Sequence, residues 1–451
     1  MYNEIWLKLA ADMVVEWEQS FNEGKDVAAY KETCHVIQRQ AREKGIDGDL
    51  ENLARSVADI LAAAPMRADF TFAEPSELDE IKAARPKKRH NFKMDLSPEA
   101  LEDKIRGAWV GRIAGCLLGK PVEGWRSAPL WKMLKATDNY PMHKYIKSSD
   151  FTPEIIEEFK INTRSTWADK CPNAAPVDDD TNYSVFALAL IERFGRNFTP
   201  DDVLHFWLEI IPMLATCTAE RVAYRNGAMG MNPPETAEFY NPYREYIGAQ
   251  IRGDVFGYVN PGDTEQAAEM AWRDAYISHI KNGIYGEMFI AAMIAAAAVC
   301  DDMMVVIEAG LDEVPENCRL RADIEKVIDL FDTGADEDTA IALIHETYSE
   351  HTGFGWCFTN TNAMIVVAGL LWGKRDFGKS ISLAVQCAYD TDCNGATVGS
   401  IIGIMNGAKS IPAIWGDTFN YKVCTTIIGY PCPSVDELSA NVIKLINSKK
   451  K

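Results

Sequence analysis

Two stretches of this sequence carry glycine at every fourth position, and no other feature restricts the fold as tightly. In DKIRGAWVGRIAGCLLGKPVEG the glycines are Gly107, Gly111, Gly115 and Gly119; in CAYDTDCNGATVGSIIGIMNGAKS they are Gly395, Gly399, Gly403 and Gly407. Residues four apart share one face of an α-helix. Each interior glycine costs such a helix about 1 kcal/mol relative to alanine. A stripe of them makes sense where another backbone must approach closer than a Cβ would allow.

The rest of the chain also reads as helix. Trp6, Leu9, Met13 and Trp17 recur at helical spacing, and a second helix is expected from an N-cap near Asp49. That helix would place Leu50, Leu53, Val57, Ile60 and Leu61 on one face and end at Pro65. Residues 1–66 are therefore expected to be a small helical appendage, and residues 67–96 a linker. Within the linker the basic run ARPKKRHNFK (84–93) is expected to be exposed. Ser97-Pro98-Glu99 places an N-cap, a proline at the first helical position and an acid in the first turn. A main domain over 97–445 is expected to begin there. Alternating β-branched runs are scarce, so the predicted class is all-α.

Composition narrows what the protein can do. With 47% hydrophobic and 25% charged residues over 451 positions, it reads as an ordinary soluble globular chain. A formal net charge of -20 argues against nonspecific nucleic-acid binding, because phosphate backbones are held by Lys and Arg. The 11 cysteines show no C-x-x-C pair and no zinc-ribbon spacing, which fits reduced thiols and a cytoplasmic location. The N-terminus lacks the pattern of a signal peptide. The longest apolar run, Met288 to Cys300, is too short to span a bilayer and is expected to be a buried helix. The sequence leaves the oligomeric state open.

Three places carry chemistry. Glu123 follows the first glycine stripe in a loop, where it would be either a solvated acid or a group facing a cleft. Asp178, Asp179 and Asp180 are consecutive at a predicted helix start. Adjacent carboxylates repel unless a helix N-terminus or cations compensate, so capping and metal binding both fit. Asp390 and Asp392 open the second glycine-striped segment and are followed by Cys393. Two acid-rich helix starts in one chain could jointly supply a binuclear oxygen site.

In this order, the three stretches resemble the ADP-ribosylglycohydrolase family, which includes the dinitrogenase reductase-activating glycohydrolase. GRIAGCLLGKPVE is similar to the family's opening G-x-x-x-G-D-x-x-G-x-P-x-E, DDDT to its T/S-D-D-T, and AYDTDCNGATVGSIIGIMNGAKSIP to its G-G-D-T-D-T followed by small residues and a distal I-P. GAQIRGDVFG, with Val255 in place of a proline, and the pair Ser278-His279 also match. The resemblance implies a compact many-helix bundle around a cleft holding two divalent cations, Mg or Mn. By position the implied metal ligands are Asp178, Asp179, Asp180, Asp390, Asp392 and Cys393. Glu123 or Asp392 would handle the proton, and His279 reads as structural. The chain departs from the pattern at Asp178 and Cys393, each for Thr, at Cys116 for Asp, and at Ala388-Tyr389 for Gly-Gly.

The implied activity is hydrolysis of a ribosyl-type glycosidic bond, with ADP-ribose on a protein or small molecule as the first substrate class. Another N- or O-glycoside on the same scaffold is the second. A catalytically silent relative, of the lens-crystallin kind, is the third, and the retained aspartates weigh against it. Phe256, Tyr258 and Tyr285 would either stack on a base or pack in the core.

Overall fold

The computed structural model describes residues 5–448. Among them are 23 α-helices and no strand, only isolated bridges such as Lys422 with Ser434. The all-α expectation holds. No helix among the described residues is long and apolar enough to cross a membrane. The apolar run at 288–300 lies in the helix Lys281–Ala297, which is buried from Asn282 onward and forms the centre of the core.

The glycine stripes explain each other. Helix Pro98–Gly119 and helix Thr391–Asn406 lie antiparallel, with their backbones touching. A Cβ on Gly107 would sit 2.2 Å from the Gly403 carbonyl oxygen, on Gly111 1.9 Å from that of Gly399, on Gly115 1.9 Å from that of Gly395, and on Gly119 2.2 Å from that of Thr391. The relation is reciprocal for Gly395, Gly399 and Gly403. Gly407 leaves the stripe: it caps the helix with φ +83, the left-handed turn that glycine favours, and faces Asp103. The register has one consequence for function. It sets the C-terminal end of the first helix, with Lys120 and Glu123 just beyond, against the acidic start of the second.

The N-terminal segment has its own small core of Leu9, Met13, Val27, Cys34, Ile37, Ala54, Val57 and Leu61. Its helix Gly48–Ala63 starts earlier than expected: Asp47, not Asp49, is the N-cap and accepts from the Leu50 amide at 2.8 Å. The buried face is also rotated from the expected one. Ala54 and Ala58 are buried, while Leu53 and Ile60 are 50% and 45% exposed. The segment sits on the rest of the chain through apolar packing, with Trp6 and Val15 against Tyr243, Tyr246 and Phe354, and through charge. Arg244 is buried between Glu16 at 2.8 Å and Glu23 at 2.6 Å, Lys281 reaches Glu23 at 2.8 Å, and Gln19 donates to Glu245 at 2.7 Å.

Residues 67–96 run along the main body. Glu74 holds Arg319, Ser76 accepts from the Trp272 indole at 2.9 Å, and Leu78–Ala84 is a short helix. The basic run 84–93 is only partly exposed, which corrects the expectation. Arg85 is buried against Glu313, and His90 bonds Asp312 at 2.8 Å, whereas Lys87 and Lys88 face solvent. Local composition predicted solvent here because the acidic partners lie more than two hundred residues away in sequence.

Candidate metal centre

The aspartate run begins in extended backbone. Asp178, at φ -152, caps helix Asp179–Phe194, and its Oδ1 accepts the Asp180 amide at 2.9 Å. Its Oδ2 takes the ammonium of Lys120. The capping reading is thus right for Asp178. Burial alone would raise its carboxyl, but Lys120 and the bonds from Asp180 hold it below the usual range.

Asp180 is tied to the glycine pair by Arg112. This guanidinium is fully buried on helix Pro98–Gly119 and donates to Asp180 Oδ1 at 2.7 Å, to the Ile251 carbonyl at 2.6 Å and to Thr397 Oγ1 at 3.2 Å. It also lies 3.2 Å from Asp254. One cation therefore ties its own helix to helices Asp179–Phe194 and Thr391–Asn406 and to the short helices Gln250–Arg252 and Asp254–Tyr258. The second oxygen of Asp180 is buried and has no hydrogen-bond partner.

The other acidic start is held by the glycine contact, with Thr391 Oγ1 donating to the Gly119 carbonyl at 2.9 Å. Just before it, Ala388 and Tyr389 have φ +67 and +60. The resemblance has Gly-Gly at these two positions, and the left-handed backbone persists here with side chains that disfavour it. Tyr389 is buried, donating to the Tyr348 carbonyl at 2.7 Å.

The antiparallel register and Arg112 bring the acids together. Three triads each place one potential ligand atom per residue within 4.8 Å of the others: Cys116, Asp178 and Asp180; Asp180, Asp392 and Cys393; Glu123, Asp390 and Asp392. Asp180 and Asp392 are shared, so the triads form one continuous row. All members are buried except Glu123, which is exposed. Asp179 is half-buried and belongs to none of these triads, yet its carboxyl is pushed up by desolvation and by Asp178, Glu123 and Asp390. Burial and the same like charges push Asp392 well up, and desolvation with Asp390 and Asp178 raises Glu123 to about 7. Burial likewise raises both thiols, Cys116 and Cys393.

The carboxylates of this set fit hard divalent cations, while Cys116 and Cys393 add two softer sulfurs. Clustered oxygen ligands with one bare buried carboxylate oxygen are what such ions take. Asp178, with both oxygens engaged, is the least available of the expected ligands.

Sequence reasoning missed Lys120, Arg112 and Cys116 as neighbours of the site. Cys116 was visible only as a departure from the family's Asp. His279 is fully buried, bonds Ser278 Oγ at 2.8 Å and is held neutral by burial and Arg252, which is a structural role. Phe256, Tyr258 and Tyr285 are core residues: Tyr258 meets Ser400 Oγ, and Tyr285 donates to the Pro75 carbonyl.

No curated protein matches the chain. A solved structure described as an ADP-ribosylglycohydrolase-related protein complex aligns at 19% identity and a TM-score of 0.44, covering 77% of this chain and 99% of that one. The family model for ADP-ribosylglycohydrolase matches residues 97–444, which include every acid of the row. The chain belongs to the ADP-ribosylglycohydrolase family.

Proposed function

We propose that the protein is a cation-dependent glycohydrolase that releases ADP-ribose from a modified protein or small molecule. The observation that carries this reading is the row of buried carboxylates joined through Asp180 and Asp392 and opening at Glu123. Asp179, Asp180, Asp390 and Asp392 would hold two divalent cations, Mg or Mn, with Cys393 at the edge of the set. Cations bound there supply the charge that orients sugar hydroxyls and acidifies a water.

The chain's own residues do the rest. Glycosidic cleavage passes through an oxocarbenium-like state and needs a proton moved at the leaving group or at the attacking water. Glu123 is the one exposed acid of the row, and its carboxyl, pushed up to about 7, can both hold and release a proton near neutrality. Asp392, buried at the junction of two triads, stays a ligand in this reading. Lys120 neutralises Asp178 and keeps that side of the row from repelling an anionic substrate.

In this reading Arg126 and Trp356 would meet the nucleotide part of the substrate. Arg126 follows Glu123 by one helical turn's worth of chain, and its guanidinium lies 6.0 Å over the ring of Trp356. The next residue, Cys357, has its thiol raised by burial and by the charges of Asp390 and Glu123, which puts this corner beside the acids. Arginine binds phosphate oxygens, and an indole face stacks on a base.

A substrate panel tests the reading. ADP-ribosylated proteins and ADP-ribosyl small molecules should release ADP-ribose in the presence of Mg or Mn. Turnover confined to N- or O-glycosides that lack ADP-ribose would replace it with the second substrate class.

A further inference from the structure

Two cysteines outside the acid row face each other. Cys424 and Cys432 lie on opposite arms of a turn, with their sulfurs 4.0 Å apart. Cys432 is exposed and Cys424 half-buried. The arms are paired in a fixed register: Val423 N–H donates to the Pro433 carbonyl at 3.2 Å, Thr425 N–H to that of Pro431 at 3.1 Å, and Val435 N–H to that of Tyr421 at 2.9 Å. Cys424 and Cys432 therefore occupy a cross-strand position with no backbone bond between them. Such pairs bring Cα atoms to about 4.5 Å with side chains close, inside the roughly 4.4–6.8 Å span that disulfides use.

The turn also supports the aspartate run. Ala175 N–H donates to the Lys422 carbonyl at 2.8 Å, and Cys424 N–H donates back to the Ala175 carbonyl at 2.9 Å. Asn182 and Thr426 exchange two bonds at 3.0 Å each. These contacts bracket Asp178–Asp180 on both sides in sequence.

We propose that Cys424 and Cys432 are a modification site that closes into a reversible disulfide by exchange with a low-molecular-weight disulfide of the glutathione type, and that closure stiffens the ledge beneath the aspartate run. The exposed Cys432 thiolate attacks one sulfur of the small disulfide, forming a mixed disulfide and releasing one small thiolate, which takes up the proton that Cys432 gave. Cys424 then loses its proton and attacks the Cys432 sulfur, expelling the second small thiol. The protein loses two hydrogens, and one small disulfide becomes two small thiols. Burial and the nearby Cys432 thiol hold Cys424 above the usual thiol range, which leaves the first attack to the exposed Cys432.

Oxidised glutathione is the probe. The full chain is incubated with it, the remaining thiols are blocked, and unreduced peptides are mapped by mass. The expected product is a Cys424–Cys432 linked peptide that dithiothreitol opens. Cys424→Ser should stop at a glutathione adduct on Cys432, and Cys432→Ser should give no link. A stable glutathione adduct on Cys432 of the parent would overturn the site, as would a link from Cys424 to the nearby Cys171. Hydrogen exchange at the Thr426 amide should slow several-fold on closure; an unchanged rate with the link formed overturns the stiffening.

Discussion

Gly115→Ala should destabilise this protein although alanine is the better helix former. Helix propensity alone favours the change by about 1 kcal/mol. Against it, the added Cβ would lie 1.9 Å from the Gly395 carbonyl oxygen and 2.3 Å from its carbonyl carbon. Both are backbone atoms, so no rotamer change relieves them. Reaching an ordinary 3.4 Å contact requires the two helices to part by about 1.5 Å locally. Overpacking of a tight core costs typically about 1–3 kcal/mol, and a clash with backbone belongs at the upper end. The net expectation is a loss of about 2 kcal/mol. Gly48→Ala is the control, since that glycine opens a helix and a Cβ there meets nothing within 4 Å. Its effect should be neutral or slightly stabilising. Urea unfolding followed by far-UV circular dichroism measures both. Because the same contact sets Glu123 against Asp390 and Asp392, Gly115→Ala should also weaken Mn binding in calorimetry. A Gly115→Ala variant as stable as Gly48→Ala would refute the idea that backbone contact explains the stripes.

Four further outcomes follow from particular residues. Ala388→Gly should raise stability by about 1 kcal/mol in the same urea assay, because a left-handed residue with a Cβ costs roughly 1–2 kcal/mol and Ala388 sits at φ +67; an unchanged or lower midpoint would show that the strain is absent. Arg244→Ala leaves Glu16 and Glu23 buried without their shared partner and should cost about 3–5 kcal/mol, read as a lowered melting temperature; a loss under 1 kcal/mol would mean the N-terminal segment is seated by other contacts. In chelator, stability should fall as pH rises from about 4.5 toward 7, because Glu123 and Glu220 are both pushed up to about 7 and the folded state binds those protons more tightly than the unfolded one. Mn binding should strengthen over the same window, since it takes deprotonated carboxylates; affinity independent of pH in calorimetry would contradict this.

How much could be read from the sequence depends on the range of the interaction. The glycine spacing, the Ser97-Pro98 helix start and the paired acid runs are local patterns, and each led to the element that is found. The identity of the stripe's partner was not local. Two glycine helices can each dock on any backbone, and only the folded register shows that Gly115 meets Gly395. Lys120 and Arg112 were missed for the same reason, because a lone cation in a helix looks solvated until its acid arrives from Asp178 or Asp180. The face of helix Gly48–Ala63 was misjudged because Leu53 and Ile60 are apolar but small alanines fill the inward positions. At Ala388-Tyr389 the residues gave no turn signal, yet the backbone keeps the conformation that glycines would adopt freely.

Cation-dependent cleavage is the centre of this account, and one assay addresses it directly. ADP-ribose release from an ADP-ribosylated substrate is measured for the parent and for Asp179→Ala and Asp392→Ala, each with added Mn and with chelator, alongside the melting temperature of every sample. The account predicts release by the parent that chelator abolishes and Mn restores. It also predicts folded variants that release none and that have lost the Mn-dependent rise in melting temperature. Release that survives chelator, or near-parental turnover in either folded variant, would contradict the assignment of Asp179 and the acid row beside it as the catalytic metal centre.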